Sequence, residues 1–424
     1  MDAHADRSQT AMGRADMKTP SSQRKPAVII LNLFYTGLGI ARNLSAYGVR
    51  IVGLSADRKG YGRFSRFCEV RFAPNSHEEP LALKEYLLGM AKEFSGAVVF
   101  PTRDADVLFL DTYREELAPH YRLAIPSHEA LMGVIDKAAL LRTASAAGVS
   151  IPRTLVVNGA QDISLVADKV GYPCVVKPVR SVDWRKGSNW EKVGGRKAFL
   201  ASSEVEFREE FDRIASITPE LLVQEWIPGS TERIVILGGY IGDNGKPIAY
   251  FTARKLVQSP EDFGTGCIVE IATLPELLEP TVRLCKALEY RGMAEVEYKK
   301  DDRTGEYKLI EINTRHWDWH RLGMAHNVNV SWAAYCDLTG EKYSPPPRAK
   351  TSASKWVADD ATWSYFLAGV YHREIRVKTF LKKLKGRRQY GIFEWADPIP
   401  SVYNFLTATV AGTSKQIGRK LFKK

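Results

Sequence analysis

"RGMAEVEYKKDDRTGEYKLIEINTR", residues 291–315, is the stretch on which the reading of this chain turns. Two extended runs flank "DDRTG" (301–305), so the segment predicts a β-hairpin. Leu309 and Ile310 read as the end of a buried strand, yet Glu311, Asn313 and Arg315 follow at alternate positions. Side chains two apart share one face of a strand. A charge on a core strand is costly unless something offsets it, and a metal ion with phosphate groups can do so. The hairpin brings Glu297 beside Glu311, with Glu295 on the face of Glu297.

Upstream, "YPCVVKP" (172–178) reads as a buried strand ending in Lys177, and "LLVQEWIPG" (221–229) as a strand running into a turn. Residues 231–256 predict a second hairpin, turning at Asp243–Lys246. "SHEALMGVIDKAALLRTASAAG" (127–148) is helical, and Asp136 can cap a helix start within it. Further back, "PAVIILNLF" (26–34), "IARNLSAYG" (40–48) and "VRIVGLSAD" (49–57) form a strand–helix–strand unit. "GAVVFPTRDAD" (96–106) repeats the strand-then-polar-loop pattern, and "YRLAIPS" (121–127) closes the region. Such alternation predicts a parallel sheet covered on both faces. Gly37 and Gly39 fit the first two glycines of a dinucleotide-binding turn, but the third falls at Arg42. The turn therefore reads as a tight junction of strand and helix.

The chain has 424 residues, too many for one ordinary core, which suggests two to four domains. A hydrophobic content of 45% makes it globular, and no apolar run approaches the roughly 20 residues of a membrane span. Residues 1–25 lack the apolar core of a signal peptide and read as a disordered leader. Five scattered cysteines without a CxxC pair indicate reduced thiols in a cytoplasmic protein and argue against a zinc site. The net charge of +11 admits nucleic acid, anionic lipid or phosphorylated ligands. No RNP, KH or helix-turn-helix pattern supports specific nucleic-acid binding. Much of the excess charge sits in 371–391 and 404–424.

The order of charged residues over 26–345 resembles the ATP-grasp superfamily, in particular its carboxylate–amine ligase group near D-aspartate ligase, with the motif order of the carbamoyl-phosphate synthetase large chain. The resemblance implies an α/β chain (α+β in the ATP-grasp part). A Rossmann-like pre-ATP-grasp domain would span 26–126. An ATP-grasp domain would span 127–345 with a mobile lid over about 176–223, and a basic extension would occupy 346–424. It implies ATP and Mg²⁺ as cofactors, with two ions expected and Mn²⁺ able to substitute. The partners would be a small carboxylate and an amine, joined through an acylphosphate with release of ADP.

Residue by residue, Lys137 and Lys177 match the two nucleotide lysines. In "QEWIPGSTE" (224–232), Glu225 is expected to face the adenine amine, with Gln224 as the alternative. Backbone groups near Trp226 and Ile227 would read the ring edge, and Glu232 would take the ribose hydroxyls. Residues 181–199, glycine-containing but carrying Trp184 and Trp190, lie where the family closes a loop over phosphates, with Lys197 a weaker phosphate candidate. Of Arg254 and Lys255, Arg254 is favoured for the γ-phosphate, since a guanidinium suits a transferring phosphoryl group. Glu297, Glu311 and Asn313 supply hard oxygen donors for Mg²⁺, and Arg315 contacts phosphate or the acyl intermediate; Thr314 stands where relatives carry proline. His316 and His320, four apart, suit either metal binding or the wall of an acceptor pocket, with Asp318 and Arg321 as orienting groups. Two rival readings are a non-catalytic nucleotide binder on the same fold and a basic protein that binds nucleic acid or a membrane surface. A homodimer is a further expectation. The basic extension reads either as an interdomain helix with a solvated face or as a peripheral contact with anionic membrane.

Overall fold

A computed structural model describes residues 25–185, 187–218, 220–347, 354–371 and 377–407. The basic residues beyond 407 and the proposed leader through 24 lie outside the described residues.

The N-terminal apolar runs form five parallel strands: β1 (Val28–Leu31), β2 (Ile51–Ser55), β3 (Glu69–Phe72), β4 (Val98–Phe100) and β5 (Arg122–Leu123). Their spatial order is β3-β2-β1-β4-β5. The residues of β1, β2 and β4 are all buried, because helices cover both faces, and this accounts for continuous rather than alternating hydrophobicity. The chain winds outward in opposite directions from β1 and β4, which opens a crevice at their carboxyl ends, the usual ligand position in such sheets. The glycines after β1 serve close approach. A Cβ on Gly37 would lie 2.0 Å from the Asn32 carbonyl oxygen, and one on Gly39 would lie 2.5 Å from His320 Cε1.

A four-stranded antiparallel sheet follows, from β6 (Thr154–Val157), β7 (Cys174–Pro178), β8 (Phe199–Ala201) and β9 (Leu221–Glu225), in the order β6-β9-β7-β8. Its inner face packs Val176 and Val223 on Phe207 and Phe211. Both aromatics come from the helix Glu204–Ile214, which Ser203 caps by accepting from the Glu206 N–H. The helical stretch expected over 127–148 is two helices, His128–Ile135 and Lys137–Ala146. They break at Asp136, whose carboxylate accepts from the Ala139 N–H at 2.8 Å and leaves Lys137 on the first turn of the second helix.

The third sheet contains β10 (Ile234–Ile241), β11 (Pro247–Ser259), β12 (Thr265–Ile271), β13 (Gly292–Lys300), β14 (Tyr307–Asn313), β15 (Lys355–Val357) and β16 (Arg388–Tyr390). Its order is β14-β13-β10-β11-β12-β15-β16. The deciding stretch is the β13–β14 hairpin, turning through Gly305 at φ 78°. Two short segments of the extension after 345 join this sheet. β15 pairs with the edge of β12, and β16 with β15. Arg42, buried in the N-terminal region, reaches Asp397 at 2.9 Å.

Candidate active site

The three sheets converge on a cleft of about 1040 Å³. Its floor is one face of β13 and β14. Register pairs Glu297 with Glu311 and Glu295 with Asn313, so three carboxylates and an amide stand side by side. Like charges directly opposite each other are destabilising on a sheet, and the surroundings supply the compensation. Lys255 Nζ donates to Glu297 Oε2 at 2.5 Å, with both side chains nearly buried. Asn313 Nδ2 donates to Glu295 Oε2 at 2.9 Å, which turns the Asn313 carbonyl oxygen away from Glu295. Arg315 Nε donates to Asp104 Oδ1 at 2.7 Å. From the opposite wall, Lys177 stands at the end of β7, and Lys137 Nζ donates to Ser181 Oγ at 2.5 Å.

The electrostatics follow from burial set against charge. Burial pushes the Glu311 carboxyl up, but Lys137, Lys177, Lys197 and Lys255 outweigh it and hold the group below the usual carboxylate range. Burial raises Glu295 to about 8; Lys255 opposes that rise, and Glu297 and Glu311 add to it. Burial also lowers Lys177 to about 8, with Lys137 assisting. Lys255 is penalised by burial too, yet the carboxylates of Glu297 and Glu295 leave it above its ordinary value.

The strand register separates residues that sequence alternation left ambiguous. Val175 pairs with Gln224, and Lys177 with Leu222, so Gln224 shares the cleft face of Lys177. Glu225 lies in register with Cys174, on the other face. Its carboxylate is held by Lys308 and by Arg153 Nε at 3.1 Å. Both expected alternatives, Glu225 and Gln224, border the cleft, and Gln224 is the one on the face of Lys177. Trp226 and Ile227 line the cleft, with Lys299 Nζ 4.4 Å from the Trp226 ring centroid. Glu232 does not line it; Lys383 of the C-terminal extension takes its carboxylate at 3.1 Å.

Arg254 requires a similar correction. It lies in register with Val235, on the opposite side of the sheet from the carboxylates, and its Nε pairs with Glu270 at 3.1 Å. The neighbouring Lys255 is the basic group that reaches the cleft. His316 and His320 are also displaced from their expected role. Both are buried, neither lines the cleft, and His316 Nε2 lies 3.0 Å from Ser331 Oγ. Burial depresses both imidazoles, which His320 reinforces at His316, and His320 falls to about 4. They join the segment after β14 to the N-terminal region. Within 181–199, Trp184 packs parallel to Phe199 in the core of the second sheet and also borders the cleft, which Trp190 and Lys197 line with it.

Sequence reasoning missed the contribution of the first sheet. Thr36 follows β1, while Thr102 and Asp104 follow β4, and all three line the cleft opposite Trp317, Asp318 and Trp319. Thr36 Oγ1 donates to Asp318 Oδ1 at 2.8 Å. Trp317 fits because Gly238 has no side chain: a Cβ there would lie 2.2 Å from Trp317 Cζ2. The polar loop "PTRDAD" was the available signal, but only the crevice geometry ties it to residues more than two hundred positions away.

Among the described residues, no three His, Cys, Asp or Glu side chains assemble a ready metal cluster. Glu297, Glu311 and the Asn313 amide nevertheless fit Mg²⁺, which is typically held by one or two carboxylates and completed by water and substrate phosphates.

No family model matches the chain. It is 27% identical over 299 residues to a D-aspartate ligase of Enterococcus faecium, covering 65% of this chain and 68% of that one. It is 30% identical over 202 residues to a D-alanine–D-alanine ligase of Thermoanaerobacter, covering 42% and 51% respectively, so it spans about half the length of that relative. Among solved structures, biotin carboxylase of Campylobacter jejuni in complex with an ATP analogue superposes with a TM-score of 0.61 at 18% identity, covering 78% of this chain and 74% of that one. N5-carboxyaminoimidazole synthetase of Staphylococcus aureus superposes with a TM-score of 0.57 at 15% identity, covering 78% and 81%. The chain has the ATP-grasp fold and is a homologue of the ATP-grasp carboxylate–amine ligases.

Proposed function

We propose that the protein is an ATP-dependent, ADP-forming ligase that joins a small carboxylate, of the size of an amino acid, to an amine. The observation that carries this reading is the β13–β14 face: Glu297, Glu311 and Asn313 stand together across a cleft from Lys137 and Lys177. An acidic face that would repel a triphosphate is combined with basic groups that would attract one. Glu297, Glu311 and the Asn313 oxygen would hold Mg²⁺ there, which would supply neutralisation of the phosphate charge.

The chain's own groups do the rest by position and charge. Gln224 and the backbone at Trp226 and Ile227 hold the base. Lys137 and Lys177 hold the phosphates. Lys255 fixes Glu297, and Glu295 fixes the Asn313 amide. The substrate carboxylate oxygen attacks the γ-phosphorus and ADP leaves. The amine nitrogen then attacks the acyl carbon, phosphate leaves, and the nitrogen gives up a proton to form the amide. Arg315, steadied by Asp104, offers its guanidinium to the transferring group or the acyl oxygen. Thr36, Asp104, Asp318 and Trp319 shape the end of the cleft where the second substrate enters. A coupled phosphate-release screen over pooled amino acids and amines, with mass detection of the product, tests this. Amide formation with stoichiometric ADP supports the proposal. ATP turnover without a joined product, or nucleotide binding without turnover, overturns it.

A further inference from the structure

Of the eighteen large apolar side chains that stand exposed among the described residues, ten fall between 363 and 406. Five of them lie on two adjoining helices, Asp359–Tyr371 and Val377–Leu384. The inner faces of these helices are spent. Phe366 stacks on Phe380, ring centroids 4.5 Å apart, and both cover the third sheet beside Leu256 and Ile268. Among the described residues, nothing covers the outer faces in this way. Trp363, Leu367 and Val370 recur at helical spacing and are 57%, 64% and 39% exposed, while Val377 and Leu381, one turn apart, are 44% and 54% exposed.

Charge accompanies this apolar face. Lys378 and Lys382 each sit one position beyond an exposed apolar residue, and Lys385, Arg387 and Arg388 follow directly. All five are exposed, none forms an ion pair among the described residues, and 377–390 contains no acidic residue. Some basic residues elsewhere on the surface are paired. Arg50 and Arg71 share Glu69 and Glu93, and Arg208 pairs with Glu204. An apolar stripe flanked by uncompensated cations is complementary to one surface in particular, apolar beneath and anionic above. No described helix is long and apolar enough to cross a membrane, so contact would be at the interface.

We propose that the outer face of these two helices is a docking surface for an anionic lipid bilayer. The helices are also tied to the cleft. Lys383, on the inner side of the second helix, bonds the Leu256 carbonyl at 2.8 Å and pairs with Glu232, next to the cleft-lining Thr231. Docking would therefore hold the cleft at the membrane surface.

The test is sedimentation of the full chain with vesicles of phosphatidylcholine alone or with about one third phosphatidylserine. Binding to the anionic vesicles only is expected, weakening as salt rises. Each basic residue near such a surface is worth about fivefold in partitioning. Lys378→Gln with Lys382→Gln should thus cost about 25-fold, and Leu367→Ser with Leu381→Ser should cost at least as much. All four residues are exposed, and circular dichroism confirms that each variant folds. Equal binding to both vesicle types, no binding, or binding unchanged by either pair overturns the proposal. So does a dimer, seen by light scattering, that the same substitutions dissolve, because a second copy of the chain would then cover this face.

Discussion

Replacing Glu295 by glutamine should stabilise the protein, and increasingly so as pH rises. Glu295 is 6% exposed and forms no ion pair among the described residues; its carboxylate accepts from the Asn313 amide, a bond that the glutamine carbonyl can also accept. Burial raises the carboxyl to about 8 against an unfolded value of about 4.3. The sign follows from linkage: between those values the folded state holds a proton that the unfolded chain has released, so stability falls with rising pH. Each unit within that window is worth about 1.4 kcal/mol. From pH 5.5 to 8 the wild type should lose about 3 kcal/mol through this one group. Glu295→Gln removes the term, so the two urea-denaturation curves, close together at pH 5.5, should separate by about that amount at pH 8. Parallel stability–pH profiles for the two proteins would refute the reasoning.

Other outcomes follow from the side chains that changed places between sequence and structure. Lys255→Ala should lower ligase turnover by about 100-fold, the scale of removing one electrostatic stabiliser, whereas Arg254→Ala should leave it within about twofold; steady-state ADP release compares them. Asp397→Asn should destabilise the fold by about 3 kcal/mol, because it strips the charge partner from a guanidinium whose side chain is 1% exposed. Denaturant titration reads that loss. Activity per folded molecule should persist.

What could be read in advance and what could not divide along physical lines. The β13–β14 hairpin was legible because its polar groups recur with the period of a strand and its turn is marked by glycine. The choice between Gln224 and Glu225 was not, because alternation gives two faces without saying which is the cleft; the pairing of Gln224 with Val175 puts it on the face of Lys177. Arg254 and Lys255 pose the same question, and β11 adds a register irregularity just past Lys255. His316 and His320 were misleading because an i, i+4 histidine pair beside tryptophans has the same pattern in a pocket wall and in a buried joint. Here the joint wins, with Gly39 left bare to admit His320. The two C-terminal strands are three residues each, too short for periodicity to register; the edge of β12 accepts β15, and β15 in turn accepts β16. Asp104 and Thr36 lie in the first turns of helices that follow β4 and β1, and their relevance appears only when the first sheet is set against the third.

The central claim is that the β13–β14 face binds a nucleotide through a divalent cation. Calorimetric titration with a non-hydrolysable ATP analogue, in Mg²⁺ and in EDTA, on the wild type and on Glu311→Ala, tests it most directly. One-to-one binding that requires Mg²⁺ in the wild type and is lost in the variant is the predicted result. Equal affinity with and without Mg²⁺, or a variant that binds as the wild type does, would contradict it.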